Sequence, residues 1–197
     1  AYPERALRCL HALTQRLTAE FAIRPFLVAH EALVLRTLHT WCEDPSMHVR
    51  RLVSEGSRPR LPWGIRLQRF VQDPSPTLPL LERLQDDASE YVRRSVANHL
   101  NDIAKDHPAV VADWLRRYLP DAPPERVALL THASRTLVKK GDRAVLAAFG
   151  LDAPLRGSAS LSIEPKVAKI GSAVELRVEL RSSAKTEQKL VVDYVVH

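Results

Sequence analysis

The chain has 197 residues, 45% of them hydrophobic, with 29 Lys+Arg against 23 Asp+Glu and a net charge of +6. That length and apolar content allow one good core and a fraction of a second, and the basic balance points to nucleic acid or another anionic surface. No apolar run approaches a membrane span, no secretory leader is visible, and two cysteines, Cys9 and Cys42, cannot build a disulfide framework.

In chain order, residues 5–19 read as a helix with Leu7, Leu10, Leu13 and Leu17 on one side. Pro25 opens a second helix, running to Trp41. Cys9 and Cys42 lie in these apolar patterns and are expected to be buried free thiols in a reducing cytoplasm. Asp44-Pro45 is a start signal, with Asp as cap, for a helix that buries Val49, Leu52 and Val53 and ends at Gly56. The basic loop Ser57-Arg58-Pro59-Arg60-Leu61-Pro62-Trp63 follows. Further helices are expected over 64–72, 77–86, 88–106, 108–118, 125–139 and 142–149.

Residues 152–160 read as a linker. Beyond it the period becomes two. Val174, Leu176, Val178 and Leu180 alternate with Glu175, Arg177 and Glu179, which predicts a strand with one face buried. Leu161–Ile163 and Leu190–Val196 read as two more strands. About forty residues are few for a complete β domain, so a partial one is expected over 158–197, after a helical domain over 1–151 whose N-terminus is expected to be incomplete.

A repeat organises the helical part. Asp44-Pro45-Ser46-Met47-His48-Val49-Arg50-Arg51 is echoed 43 residues later by Asp87-Ala88-Ser89-Glu90-Tyr91-Val92-Arg93-Arg94. A weaker copy, offset by 37, places Leu129, Ala133 and Leu137 where Val92, Val96 and Leu100 stand. Such periods indicate HEAT-like helical repeats. The expected fold is therefore mostly α, a HEAT-like solenoid followed by the start of a small β domain. Basic residues beside the apolar positions of each copy would line a track for a long polyanion.

Several stretches together resemble one family: His48-Val49-Arg50-Arg51-Leu52 with Ser54-Glu55-Gly56, the Arg58-Pro59-Arg60-Leu61-Pro62-Trp63 loop, Ser89 to Asn98 with Asn101-Asp102, and Lys139-Lys140-Gly141-Asp142. They are similar to the bacterial AlkC family of alkylated-base DNA glycosylases, relatives of AlkD. The resemblance covers roughly residues 5–150, and the later β sequence resembles the immunoglobulin-like domain of some AlkC proteins. It implies a monomer gripping double-stranded DNA that contains alkylated bases. It implies monofunctional excision of cationic bases such as 3-methyladenine or 3-methylcytosine in base excision repair, without swinging the base into a pocket.

The chemistry explains the residue types. A base alkylated at a ring nitrogen is already a good leaving group, so the enzyme must stabilise an oxocarbenium-like sugar and orient a water. A carboxylate near C1′ does both. No metal and no redox cofactor is called for. Three carboxylates are candidates. Glu55 sits in a last helical turn, against the helix dipole; an ion pair with Arg51 or Arg58 is the plainer account. Glu90 is expected as third residue of a helix capped by Asp87, where Glu is simply favourable. Asp102 either pairs with Lys105 on a solvated face or projects into the cleft.

Arg51, Arg58, Arg60, Trp63, Arg94, Lys139 and Lys140 are the candidate DNA contacts. Adjacent helical residues diverge by about 100°, so one of Arg50/Arg51 and one of Arg93/Arg94 is left for bonds between repeats. Arg58 and Arg60, on a loop, are freer to meet phosphate. Lys139-Lys140-Gly141 also makes a good helix C-terminus. Trp41 and Trp114 fall in core patterns, and the scattered histidines suggest no metal site. The alternative to an enzyme is a non-catalytic HEAT-repeat scaffold for nucleic acid or an acidic protein.

Overall fold

The computed structural model describes residues 2–192. Their contacts divide into two compact units, one ending at Ala148 and the other beginning at Phe149. The first is helical. Its elements are α1 (Pro3–Thr14), α2 (Glu20–Ala29), α3 (Glu31–Trp41), α4 (Met47–Gly56), α5 (Gln68–Gln72), α6 (Leu78–Leu84), α7 (Glu90–Ile103), α8 (Pro108–Tyr118), α9 (Pro124–Lys139) and α10 (Arg143–Ala148).

The repeat is visible as packing. Val49, Leu52 and Val53 on α4, Val92, Val96 and Leu100 on α7, and Leu129, Ala133 and Leu137 on α9 are all buried. Each large side chain so covered contributes about 1.5–3 kcal/mol. The chain also turns into α4 and α7 in the same way. Oδ1 of Asp44 accepts the Ser46 amide at 2.8 Å, and Oδ1 of Asp87 accepts the Ser89 amide at 2.8 Å. Arg50 Nη1 donates to the carbonyls of Asp44 and Pro45, and Arg93 Nη1 to those of Asp87 and Ala88. The aspartates then tie one layer to the next. Asp44 meets His11 Nε2 at 2.6 Å, and Asp87 holds the Arg50 guanidinium through two bonds of 2.6 and 3.0 Å.

Several boundaries differ from the sequence reading, for identifiable reasons. Asp44 and Asp87 are not the caps: Ser46 and Ser89 are, and Glu90 is the first residue of its helix rather than the third. Pro25 lies inside α2 instead of opening a helix. Its missing amide removes one rung without ending the ladder, and the chain breaks at His30, whose φ of −141° leaves the helical region. The first helix stops at Thr14, so Leu17 falls beyond it, and both Leu17 and Leu13, still on the helix, are exposed. The helix expected over 64–72 shortens to α5 because residues 57–67 form a structured loop. Cys42 is buried but Cys9 is exposed. Trp41 and Trp114 are core, as expected.

The second unit has two antiparallel strands, β1 (Gly157–Glu164) and β2 (Glu175–Ser182). Ala159 faces Leu180, Leu161 faces Val178 and Ile163 faces Leu176, so the period of two does gather the apolar residues on one face. That face is not buried: Leu161, Leu176, Val178 and Leu180 are all exposed. Alternation fixes which residues share a face, not whether anything covers it. β1 starts inside the expected linker, at Gly157. Leu190, Val191 and Val192 take no strand conformation, and the rest of the third expected strand lies outside the described residues.

Candidate active site

Glu55 is buried at the end of α4, with 5% of its surface exposed. A carboxylate there opposes the helix dipole. Cations and a hydroxyl offset the mismatch. Arg58 Nη1 donates to Oε1 at 2.6 Å, Ser95 Oγ on α7 donates to Oε2 at 2.6 Å, and Arg51 Nη2 stands 3.7 Å from Oε1. Asp102, from the last turns of α7, is 1% exposed. Arg58 Nε donates to its Oδ2 at 2.8 Å and Lys105 Nζ to its Oδ1 at 2.9 Å. One guanidinium thus bridges two candidate carboxylates from different repeats. Burial works against the Arg58 charge, but the Asp102 bond and nearby Glu55 outweigh it and hold the group above its ordinary value. Asp102 does pair with Lys105, but on a buried rather than a solvated face, and its other oxygen holds Arg58.

A third buried carboxylate joins this web. Glu20, at the start of α2, is 8% exposed and accepts from Arg51 Nη1 at 2.8 Å. The same nitrogen donates to Thr18 Oγ1, and the Arg51 guanidinium lies over the Tyr91 ring, 4.8 Å from its centre. Sequence reasoning missed Glu20, since nothing local marks it. Only the 31-residue contact with Arg51 gives it meaning. The result is a chain of alternating charge, Glu20–Arg51–Glu55–Arg58–Asp102, across α2, α4 and α7.

Arg58 and Arg60 are not free loop cations. Arg58 is buried in the web, and Arg60 makes a two-bond pair with Asp106, at 2.6 and 2.7 Å. The loop that carries them is anchored from below by Arg24, which is completely buried. Arg24 donates to the carbonyls of Gly56 and Arg58 on one leg and Ile65 on the other, at 2.9, 2.8 and 2.7 Å. Burial and neighbouring Arg58 pull its guanidinium down to about 10, still charged at neutral pH. Gly56 permits the approach of α4 to α2, since a Cβ there would stand 2.6 Å from Ile23 Cγ2. At the loop's tip Trp63 is 99% exposed, with φ of +60°. A left-handed non-glycine residue costs about 1–3 kcal/mol and persists where the surroundings enforce it. Trp63 is therefore held outward, in water, rather than packed into the core.

The remaining candidates lie apart from the web's hydrogen bonds. Glu90 and Arg94 are exposed and line a cavity of about 310 Å³ between α7 and α9, with Arg93, Ala97, Leu129 and His132 also in its wall. Lys139 and Lys140 are exposed where α9 ends, ahead of Gly141 at φ +69°. His99, passed over in the sequence, is fully buried on α7. Its Nδ1 meets the Ser54 carbonyl at 3.0 Å, so it ties α7 to the turn that carries Glu55. Burial pushes its imidazole down to about 4, against the pull of Asp102. Among the described residues no group of three or more His, Cys, Asp or Glu is placed to hold a metal ion, and no helix is long and apolar enough to cross a membrane.

The chain is similar to known proteins over both units. Residues 157–197 match the C-terminal Ig-like domain of the uncharacterised protein YhaZ. The uncharacterized protein YhaZ of Bacillus subtilis (strain 168) is 43% identical, over 100% of this chain and 54% of its own length. A solved structure, Pseudomonas fluorescens alkylpurine DNA glycosylase AlkC bound to DNA containing an abasic site analog, is similar with a TM-score of 0.87 and 40% identity. The likeness covers 92% of this chain and 50% of that one. The chain thus spans about half the length of each of these relatives. Residues 17–136, which contain the whole charge web from Glu20 to Asp102, match the family described as DNA alkylation repair enzyme, and to that family this chain belongs.

Proposed function

We propose that the chain is a monofunctional DNA glycosylase that excises positively charged N-alkylated bases, of the 3-methyladenine and 3-methylcytosine class, from duplex DNA. The observation that carries this reading is the buried web in which Glu55 and Asp102 share Arg58 and Glu20 joins through Arg51. The similarity to an alkylpurine DNA glycosylase supports it.

In the proposed reaction the C1′–N bond breaks and its electron pair leaves with the base. The base departs neutral, so no acid is needed. A water attacks C1′ and releases its proton. The protein's task is to stabilise the positive sugar and aim the water. A carboxylate offers about four acceptor positions. Arg58 and Ser95 fill two of those on Glu55, which leaves capacity for a water. The arginines fix the carboxylate in place, so little reorganisation is needed as charge develops. Exposed Trp63, Arg94, Lys139 and Lys140 then serve the duplex around the lesion.

One observation favours the scaffold reading: both oxygens of Glu55 already have partners in the free protein. Single-turnover release of methylated bases from alkylated duplex separates the two. Glu55→Gln should lose on the order of 10²–10³ in rate while DNA affinity stays close to wild type; melting should fall, because Arg58 loses one of its two buried carboxylates, so rates are compared well below the melting temperature of the variant. A wild-type chain that binds the duplex and releases no base would leave the scaffold reading standing.

A further inference from the structure

The arginines of the web and those flanking it end on carboxylates: Arg50 on Asp87, Arg51 on Glu20, Arg58 on Asp102 and Arg60 on Asp106. Beside the web, where α7 packs against α9, the pattern lapses. Asn98 Oδ1 accepts from His132 Nε2 at 2.9 Å and from Arg135 Nη2 at 3.3 Å. Arg135 Nη1 donates to the His132 carbonyl at 2.6 Å. Its bonds thus end on neutral oxygens. Arg94 on α7 acts on both residues through its charge, and no carboxylate pairs with Arg94 or Arg135 among the described residues. Two cations and a histidine are held close together with no carboxylate bonded to them; Asp102 acts on Arg135 only through its charge.

We infer that Arg94, His132 and Arg135 form a seat for one phosphodiester of the DNA backbone, with Asn98 as its base, and that filling the seat draws a proton onto His132. The inference rests on the DNA-binding part of the function proposed above. A single anion relieves the repulsion among all three groups at once. The seat is also near the web, since Asp102 and Arg58 both act on Arg135. A phosphate fixed here would set the register of the strand against Glu55.

The proton follows from the geometry. Two donors converge on Asn98 Oδ1, so His132 donates from Nε2 and its Nδ1 is the free acceptor. In the free protein, burial first, and then Arg135 and Arg94, push the imidazole down to about 4. The other charged groups around the cavity are Arg93 and Glu90 from α7 and Glu125 from α9; both glutamates are exposed. A phosphate oxygen among the cations reverses the local field, and the solvent proton then stays on Nδ1.

The test uses a duplex with a tetrahydrofuran abasic analogue, binding read by fluorescence anisotropy from pH 8 to pH 6 at fixed salt. Wild-type affinity should rise on the order of tenfold as pH falls, the effect of one linked proton. His132→Gln, which keeps the donor to Asn98, should flatten that rise and leave the affinity at pH 8. Arg94→Ala and Arg135→Ala should each lower the slope of log affinity on log salt by about 0.9. A wild-type pH profile in His132→Gln, or unchanged salt slopes in both arginine variants, overturns the seat. Base release measured beside it keeps the two proposals apart. Excision with no role for the cluster sinks only the seat; a cluster-dependent pH profile without excision sinks only the glycosylase.

Discussion

Arg51 and Arg94 hold the same place in two successive repeats, each one residue after an arginine with the same local task. Arg50 and Arg93 both fold back onto the two carbonyls that lead into their helices. One position further on, the repeats part. Arg51 enters a web of buried carboxylates and lies over Tyr91, whereas Arg94 is exposed, lines a cavity with His132 and pairs with no carboxylate among the described residues. Positions that maintain the fold are thus copied faithfully, and positions beside them have drifted to opposite electrostatic solutions. The first repeat holds charges matched in advance, as the proposed chemistry at a sugar cation requires. The second holds charges without a bonded partner, as the proposed phosphate seat requires.

The comparison breaks most sharply when each cluster loses its arginine. Arg58→Met strands Glu55 and Asp102 under cover, and breaking a buried pair in this way costs about 3–5 kcal/mol. Arg94→Met removes a charge that pairs with nothing and should change stability by no more than about 0.5 kcal/mol. Urea denaturation of the two variants checks both. Equal losses would show that the two clusters are not different in kind.

His99 joins the two repeats and makes their union sensitive to acid. Its folded value of about 4 lies below the ordinary 6.5. Below pH 6.5 the unfolded chain therefore binds a proton that the folded chain refuses, and stability falls until the pH passes below about 4. The full window corresponds to about 3 kcal/mol for this one group. Melting from pH 7 to pH 4 should show a shallower decline in His99→Gln than in wild type. Parallel declines would remove His99 from the account.

The smallest effect concerns the copied positions. Arg50→Ala loses a paired carboxylate on Asp87 as well as two carbonyl bonds and should cost about 2 kcal/mol; Arg93→Ala loses carbonyl bonds alone and should cost about 1 kcal/mol. Thermal melting of each variant sharpens the idea that the aspartate link between layers, not the local turn, carries the difference.

Much of the fold was legible because it is local. The 43-residue echo, the apolar spacing of α4, α7 and α9, and the glycine after Lys140 all read directly from the sequence. The boundary errors share one cause. The commonest local role of Pro25 is to open a helix and that of Asp44 is to cap one; Pro25 instead sits inside α2, and Asp44 turns the chain and holds His11 of another layer. The candidate site was legible in part. Glu55 stands out because it sits against its own helix, and Asp102 because it lies near Lys105 with a second, inward direction open to it. Glu20, His99 and Asn98 carry no such mark, and each acquires its role from a partner more than thirty residues away. Arg58 shows the converse. A loop position suggested freedom, but Asp102, from another repeat, closes on it.

The clamp beneath the tryptophan loop has a thermodynamic consequence. Ordering a residue's backbone costs about 1–2 kcal/mol in entropy. Between Gly56 and Leu67 that cost is met during folding, by Arg24's three carbonyl bonds and by rungs from Gly64 to Leu61 and from Leu67 to Pro59. The indole at the tip is meanwhile left almost wholly in water. An aromatic of this size offers about 150–250 Å² to whatever covers it, worth on the order of 4 kcal/mol. A surface that lands on Trp63 collects that energy without having to still the loop first.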